Sequence, residues 1–353
     1  MAINTTTSLS GQYQNYFSKK LLTYAVQALV LDQWAERTPL PKNAGNKDIS
    51  MFRWGAPSTS AIETLGTEGT KPTGTRSLAL TKISKTLIQR GQYIELTDVL
   101  TQTDLFNALA QSIRTQGEDA ALDLDTITRN TLVGSNVAGT AKENGDGSAL
   151  DNSDTLNEVY VGASTDYSDF DATTSANSMD AATILDSVTN LKINRAQPVS
   201  GGQYAAATSA QVMSDIMKVD QWLNAAQYSN VQELYKGEVG SLYGARFSLS
   251  TNGWSSVYAS DDDDRFAYSV AGGNGLAAGK NIYATLFFGQ QAYGCPHLST
   301  QSPFGPKIIL TEGADKSDPL DQKRTVAFKS FWGTLRLNCN YYVIARSKTN
   351  YTG

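Results

Sequence analysis

Asp318-Pro319-Leu320-Asp321-Gln322-Lys323-Arg324-Thr325-Val326-Ala327-Phe328-Lys329-Ser330-Phe331-Trp332-Gly333-Thr334 is the stretch on which the fold turns. It opens a segment, Gln322 to Gly353, that holds Lys323, Arg324, Lys329, Arg336, Arg346 and Lys348 and no acid, threaded through an aromatic, alternating pattern. Alternation with a period of two is the mark of β-strand, so Thr325 to Ala345 is predicted to run as strands. Strands are also expected at Ala245–Ser250, Ile282–Phe288 and Lys307–Thr311.

Upstream of these strands the pattern becomes helical. Asp180 to Arg195 places Ile184, Val188 and Leu191 on one stripe, and Ser209 to Ala225 places Val212, Ile216, Val219 and Leu223 on another. The strongest helix is predicted over 104–133, where Leu105, Leu109, Ile113, Ala120, Leu124, Ile127 and Thr131 recur at helical spacing, with caps offered by Thr101 to Thr103 and a stop at Gly134. Such a helix is a rod of roughly 45 Å that needs a sheet along its length to bury its stripe. Before it, Arg76 to Leu96 alternates as a long strand, with Gly91 expected to mark a bulge or bend. The glycine- and threonine-rich stretch between Phe52 and Leu80 reads as the irregular tip of a projecting arm. Residues 1–20, rich in Thr, Ser, Asn and Gln around Tyr13, Tyr16 and Phe17, read as an extended arm that orders only against something else. Lys20 to Arg37 has the spacing of an amphipathic helix, ended by Pro39 and Pro41.

At 353 residues, 40% hydrophobic and 18% charged, the chain is long enough and apolar enough to bury a large core. The longest apolar run, Leu21 to Leu31, is too short and too interrupted to cross a bilayer. Cys295 and Cys339 have no CxxC partner and are expected to be packed free thiols. The net charge of −5 is unevenly spread: residues 1–135 carry 13 basic and 12 acidic side chains, 136–178 carry 1 and 8, and 179–353 carry 15 and 14. The acidic 136–178 segment and the polar stretch 252–279, with Asp261 to Asp264, read as exposed insertions.

Catalytic chemistry finds little to stand on. The chain has one histidine, His297, and no GxSxG elbow, so acid-base and nucleophilic mechanisms lack their usual groups. Cys295 and His297 supply too few ligands at the wrong spacing for a zinc module, and Asp261 to Asp264 lacks the alternation of a calcium loop. Gly273 to Gly279 has neither phosphate-loop ending, so no catalytic residue, metal or cofactor is expected. Lys82, Lys85 and Arg90 lie on projecting strands and, with Tyr13, Tyr16 and Phe17, are candidates for contact between subunits. Lys19, Lys20, Arg114, Lys323 and Arg324 are candidates for facing nucleic-acid phosphates or neighbouring carboxylates. In a shell enclosing DNA, which the resemblance given next implies, like-charge repulsion would place the 136–178 segment and Asp261 to Asp264 on the outer surface or in subunit contacts.

The order polar arm, helix, projecting hairpin, long helix, helical insertion and returning strands resembles the Hong Kong 97-type α+β fold of tailed-phage capsids. Thr97 to Gly134 and Asp318 to Arg346 are similar to the N4-like major capsid protein group. That resemblance implies an N-terminal arm and helix at 1–45, an extended E-loop at 46–92, and a peripheral domain beginning at 93–178 with the spine helix. It further implies an axial domain at 179–280 and peripheral return strands at 281–353. The implied function is a structural one: a subunit that self-assembles into hexamers and pentamers of an icosahedral head around non-specifically packaged double-stranded DNA. Its implied partners are a separate scaffold protein, a portal and decoration proteins, and its place is the virion, assembled in the bacterial cytoplasm. A cellular nanocompartment shell of the same fold, or an unrelated enzyme or surface-binding module, are the other readings.

Overall fold

The computed structural model describes residues 30–40, 48–55, 62, 77–103, 108–133, 157–162, 177–220, 238–250, 252–253, 282–298, 307–311, 319–320 and 322–350. The chain order is β1 (Pro39–Leu40), β2 (Asp48–Trp54), β3 (Leu80–Thr86), β4 (Ile88–Thr97), α1 (Asp98–Thr103), α2 (Ala108–Val133), β5 (Glu158–Tyr160), α3 (Ala181–Ile193), β6 (Tyr204–Ser209) and α4 (Ala210–Met217). It continues through β7 (Glu238–Leu242), β8 (Ala245–Ser250), β9 (Tyr283–Phe288), β10 (Tyr293–Gly294), β11 (His297–Leu298), β12 (Lys307–Thr311), β13 (Lys323–Trp332), β14 (Leu335–Arg336) and β15 (Tyr342–Ser347). Short 3-10 turns cover Leu31–Trp34 and Cys339–Tyr341.

The opening stretch of sequence becomes β13, the middle strand of a three-stranded sheet ordered β12-β13-β4. Its alternation is used as alternation should be: Val326, Phe328, Ser330 and Trp332 are buried, while the residues between them are only partly so. Helix α2 lies on that buried face, with Ile113 and Ala120 packed against Val326 and Phe328. Gln116, with no exposed surface, donates from Nε2 to the Val326 carbonyl at 2.6 Å, pinning helix to strand. Gly91 is no bulge, because the β13–β4 register runs unbroken through Lys329↔Gly91. A Cβ there would stand 2.5 Å from the Phe328 carbonyl oxygen, so it is close strand approach that requires glycine.

Helix α2 spans 26 residues, about 39 Å at 1.5 Å per residue. Before it, Asp98–Thr103 forms helix α1, whose Leu100 N–H is accepted by Thr97 Oγ1 at 3.3 Å, and the predicted caps and start at 101–107 fall on residues whose side chains or placement lie outside the described ones. The buried stripe holds Ile113, Ala120, Leu124 and Thr131 as expected, while Leu109 is only partly buried and Ser112, Asp125 and Thr128 join from the polar side. At the C-terminal turn, Arg336 Nε donates to the Thr131 carbonyl at 2.6 Å, bringing a cation to the end of the helix dipole.

The second sheet has six strands in the order β5-β15-β9-β6-β8-β7 and separates two apolar clusters. Every residue of β6, β9 and β15 is buried, and successive residues feed opposite clusters. Ala205, Ala207, Leu286, Phe288, Tyr342 and Ile344 face the cluster shared with Leu124 and Leu132 of α2. Tyr204, Ala206, Phe287, Val343 and Ala345 face Ile184, Val188 and Leu191 of α3 and Val212 and Ile216 of α4. Strands covered on both faces need near-continuous apolar sequence, which β9 and β15 have. Asp180 caps α3 by accepting the Thr183 N–H at 2.8 Å, and the Ser209 hydroxyl accepts from Val212 N at the start of α4. Arg346, fully buried on β15, is held by Glu158 at 3.1 Å.

Of the predicted Lys20 to Arg37 helix only residues from 30 on are described, and there the chain forms a 3-10 turn, Leu31–Trp34, rather than an α-helix. The acidic 136–178 segment lies largely, and Asp261 to Asp264 wholly, outside the described residues. No helix among the described residues is long and apolar enough to cross a membrane.

Candidate assembly surfaces

The antiparallel hairpin β2–β3 is an amphipathic ribbon whose two faces follow from its register. Met51 lies opposite Ile83 and Ile49 opposite Lys85 on the inner face. With Leu87, Leu335 and Leu337, the apolar members of that face form a small core that fixes the base of the ribbon to the body. Phe52 opposite Lys82 and Trp54 opposite Leu80 make the outer face, and there Phe52 is 59%, Trp54 64% and Leu80 50% exposed. Leu78, just before β3, is 78% exposed. A two-stranded ribbon holding so much apolar surface in water is unfavourable by itself, so this face has the character of an interface.

Between the ribbon and the body lies a cleft of about 580 Å³ lined by Glu36, Met51, Arg53, Gln291, Leu337 and Tyr341, among others. Arg53 Nη1 reaches across it to the Leu337 carbonyl at 3.2 Å and Asn338 Oδ1 at 3.4 Å, setting the angle at which the ribbon leaves the body.

The basic candidates divide. Lys82 points outward beside Phe52, whereas Lys85 lies on the inner face and lines a narrow cleft with Arg90, Ile127 and Trp332. Arg90 Nη1 meets Asp123 Oδ1 of α2 at 3.3 Å in its own chain. Burial raises the Asp123 carboxyl above its ordinary value, and the Arg90 charge opposes that shift. Arg114 pairs one turn along α2 with Glu118 at 2.9 Å, and Lys323 stands 4.0 Å from Glu95, both pairs being well exposed. Arg324 is half-buried opposite Leu96. Tyr13, Tyr16, Phe17, Lys19 and Lys20 lie outside the described residues. Phe52, Arg53 and Trp54 were not among the candidates, because apolar Phe52 and Trp54 fall on the half of Ile49-Ser50-Met51-Phe52-Arg53-Trp54 where a half-buried strand would carry polar residues.

A second concentration of charge sits inside. Asp125 Oδ1 accepts the Leu31 N–H at 2.9 Å, and Asp32, bonded to Arg37, is buried nearby. Burial pushes the Asp125 carboxyl up to about 6; the backbone N–H groups of Leu31 and Val30 and the Arg129 charge oppose that shift, and the Asp32 charge adds to it. Cys295 and Cys339 are free, buried thiols, and burial pushes Cys295 up to about 12, which leaves it poor as a nucleophile at neutral pH. Among the described residues no group of three or more His, Cys, Asp or Glu side chains is placed to hold a metal.

The sequence matches no protein-family model and no curated protein. The fold has solved counterparts. It is similar to the capsid of Ralstonia phage GP4, with a TM-score of 0.62 and 12% identity over 92% of this chain and 89% of that one. Similar too are the acidic stable capsid structure of Helicobacter pylori bacteriophage KHP30, at 0.57 and 11% over 91% and 89%, and the capsid of cyanophage P-SCSP1u, at 0.56 and 13% over 90% and 88%. The chain therefore has the α+β, Hong Kong 97-type fold of phage capsid proteins.

Proposed function

We propose that this chain is a major capsid subunit, a structural protein that self-assembles into hexamers and pentamers of an icosahedral phage head around double-stranded DNA. The observation that carries this reading is the ribbon β2–β3, sealed on one face and exposing Phe52, Trp54 and Leu80 on the other. The whole-chain likeness to phage capsids supports it. The ribbon would be the E-loop (46–92), α2 the spine of a peripheral domain, and 179–280 the core of an axial domain whose sheet is completed by β9 and β15. Residues 1–45 would be the N-terminal arm. Within the phage capsids, the Thr97 to Gly134 and Asp318 to Arg346 segments favour the N4-like group.

In such a head, Lys82 and the outer ribbon face would meet a neighbouring subunit. The exposed Arg114 and Lys323 would face phosphates or neighbouring carboxylates. A separate scaffold protein, a portal and decoration proteins complete the assembly, which forms in the host cytoplasm and resides in the virion. Electron microscopy of the purified protein, alone and with its scaffold, is expected to show closed shells or rings of subunits. A strictly monomeric protein under all such conditions would overturn the reading.

A further inference from the structure

Strand β2 has one edge paired and one edge bare. Its ladder with β3 runs in register from Asp48↔Thr86 to Trp54↔Leu80, and just beyond it the Gly55 N–H donates to the Ala79 carbonyl at 2.8 Å. That bond fixes the phase of the antiparallel ladder: Ile49, Met51 and Arg53 exchange hydrogen bonds with β3, and the main-chain groups of Ser50, Phe52 and Trp54 point the other way. Among the described residues no strand lies on that side, the sheet being two-stranded. The cleft of about 580 Å³ lies there, because the consecutive residues Ser50 to Gly55 line it and no residue of β3 does. Arg53 reaches across it to the Leu337 carbonyl at 3.2 Å, and Glu36 and Thr38 line it from the body.

A bare strand edge bordering a cleft is built to take an extended peptide as an added strand. The sequence contains such a peptide. Ile3-Asn4-Thr5-Thr6-Thr7-Ser8-Leu9-Ser10 alternates Ile, Thr, Thr and Leu with polar residues, is rich in β-branched side chains and is followed by Gly11. Residues 1–18 carry no charged side chain, so no side-chain charge is desolvated when they enter a cleft beside Met51 and Leu337. The alternating run is about as long as the seven residues of β2. Further along, the chain meets the body at Leu31, whose N–H is accepted by Asp125 Oδ1 of α2 at 2.9 Å, and from there it runs on to Glu36 and Thr38 at the cleft. The arm therefore joins at the α2 end of this segment and not at its cleft end.

On the reading of the chain as a shell subunit, on which this rests, we propose that the cleft beside β2 receives residues 3–10 of a second copy as an added strand. The arm given to one neighbour and the cleft filled by another are different surfaces. The contact is therefore head-to-tail and closes into rings, as hexamers and pentamers require. Main-chain hydrogen bonds to Ser50, Phe52 and Trp54 hold the strand, and its Ile and Leu side chains cover part of the apolar surface that Phe52 and Trp54 leave in water.

The test is hydrogen exchange of the full chain, read at single amides in dilute unassembled subunits and in assembled particles. The Met51 and Arg53 amides bond to β3 and are expected to be protected in both states. Ser50, Phe52 and Trp54 are expected to exchange freely in dilute subunits and about tenfold more slowly in particles. Thr5→Pro with Thr6→Pro, which takes an N–H from each edge of the incoming strand, should return those three amides to the dilute rate. Where that variant no longer assembles, a synthetic peptide of residues 2–11 added to it should slow the same three amides, and the peptide carrying both prolines should not. Particles whose Ser50, Phe52 and Trp54 amides stay unprotected, or stay protected in the proline variant, overturn the strand exchange and leave the shell reading standing. Protection already present in dilute subunits also overturns it, since the cleft is then filled from within the same chain. A protein that forms no particles under the microscope overturns the shell reading itself, and the exchange with it.

Discussion

Arg346 has no exposed surface, and its partner Glu158 also accepts from the Tyr160 hydroxyl at 2.8 Å. Arg346→Ala removes the guanidinium from a nearly buried carboxylate and opens a void in β15, so a loss of about 3–5 kcal/mol is expected in urea unfolding of the unassembled subunit. Replacing both partners together, Arg346→Met with Glu158→Leu, should recover most of that loss, because it leaves no buried charge unanswered. Gly91→Ala should cost about 1–3 kcal/mol by the same measurement, since its methyl would press on the Phe328 carbonyl oxygen and force β4 away from β13. A bulge at Gly91 would instead have tolerated alanine. The glycine was legible as special, but alternation along one strand does not reveal how near the next strand comes. The Asp32 and Asp125 site was not legible for a related reason. Asp125 sits on the buried stripe beside Leu124, yet only the folded chain shows that a segment 94 positions away lies over it.

Helix α2 offers a direct test of element packing. Ile113→Asp places a charge, at 2% exposure, against Val326 and Phe328, at an expected cost of several kcal/mol and with loss of soluble protein. Leu109→Asp should be milder because Leu109 is only partly buried, and Glu118→Ala, in an exposed pair with Arg114, should change the thermal midpoint little. The strands Lys307–Thr311 and Ala245–Ser250 and helix α3 were plain in the sequence because their apolar residues repeat at the period of their own element. Strand β6 was not. Tyr204-Ala205-Ala206-Ala207-Thr208-Ser209 is rich in alanine, a weak strand former, and becomes a strand because β9 and β8 pair with it on both sides. The ribbon strand β2 was hidden likewise, since its outward Phe52 and Trp54 break the polar half of the alternation.

At the scale of the molecule, the exposed ribbon face separates folding from association. Phe52→Ser with Trp54→Ser should leave the subunit's unfolding profile nearly unchanged while abolishing particles under the microscope, because these side chains are 59% and 64% exposed before any partner arrives. Loss of the fold itself would mean that the ribbon is part of the subunit's own core. The sheets carry a different consequence. Strand β13 sits between β12 and β4, and β15 between β5 and β9, so both sheets are joined through strands that follow residue 322. On a ribosome, the earlier strands emerge with their central neighbours still unmade, and pairing partners as distant as Val159 and Ala345 must wait until the later of the two has been translated. Synthesis thereby acts as a timer: a nascent polypeptide has no complete sheet to offer until the strands that follow residue 322 have emerged.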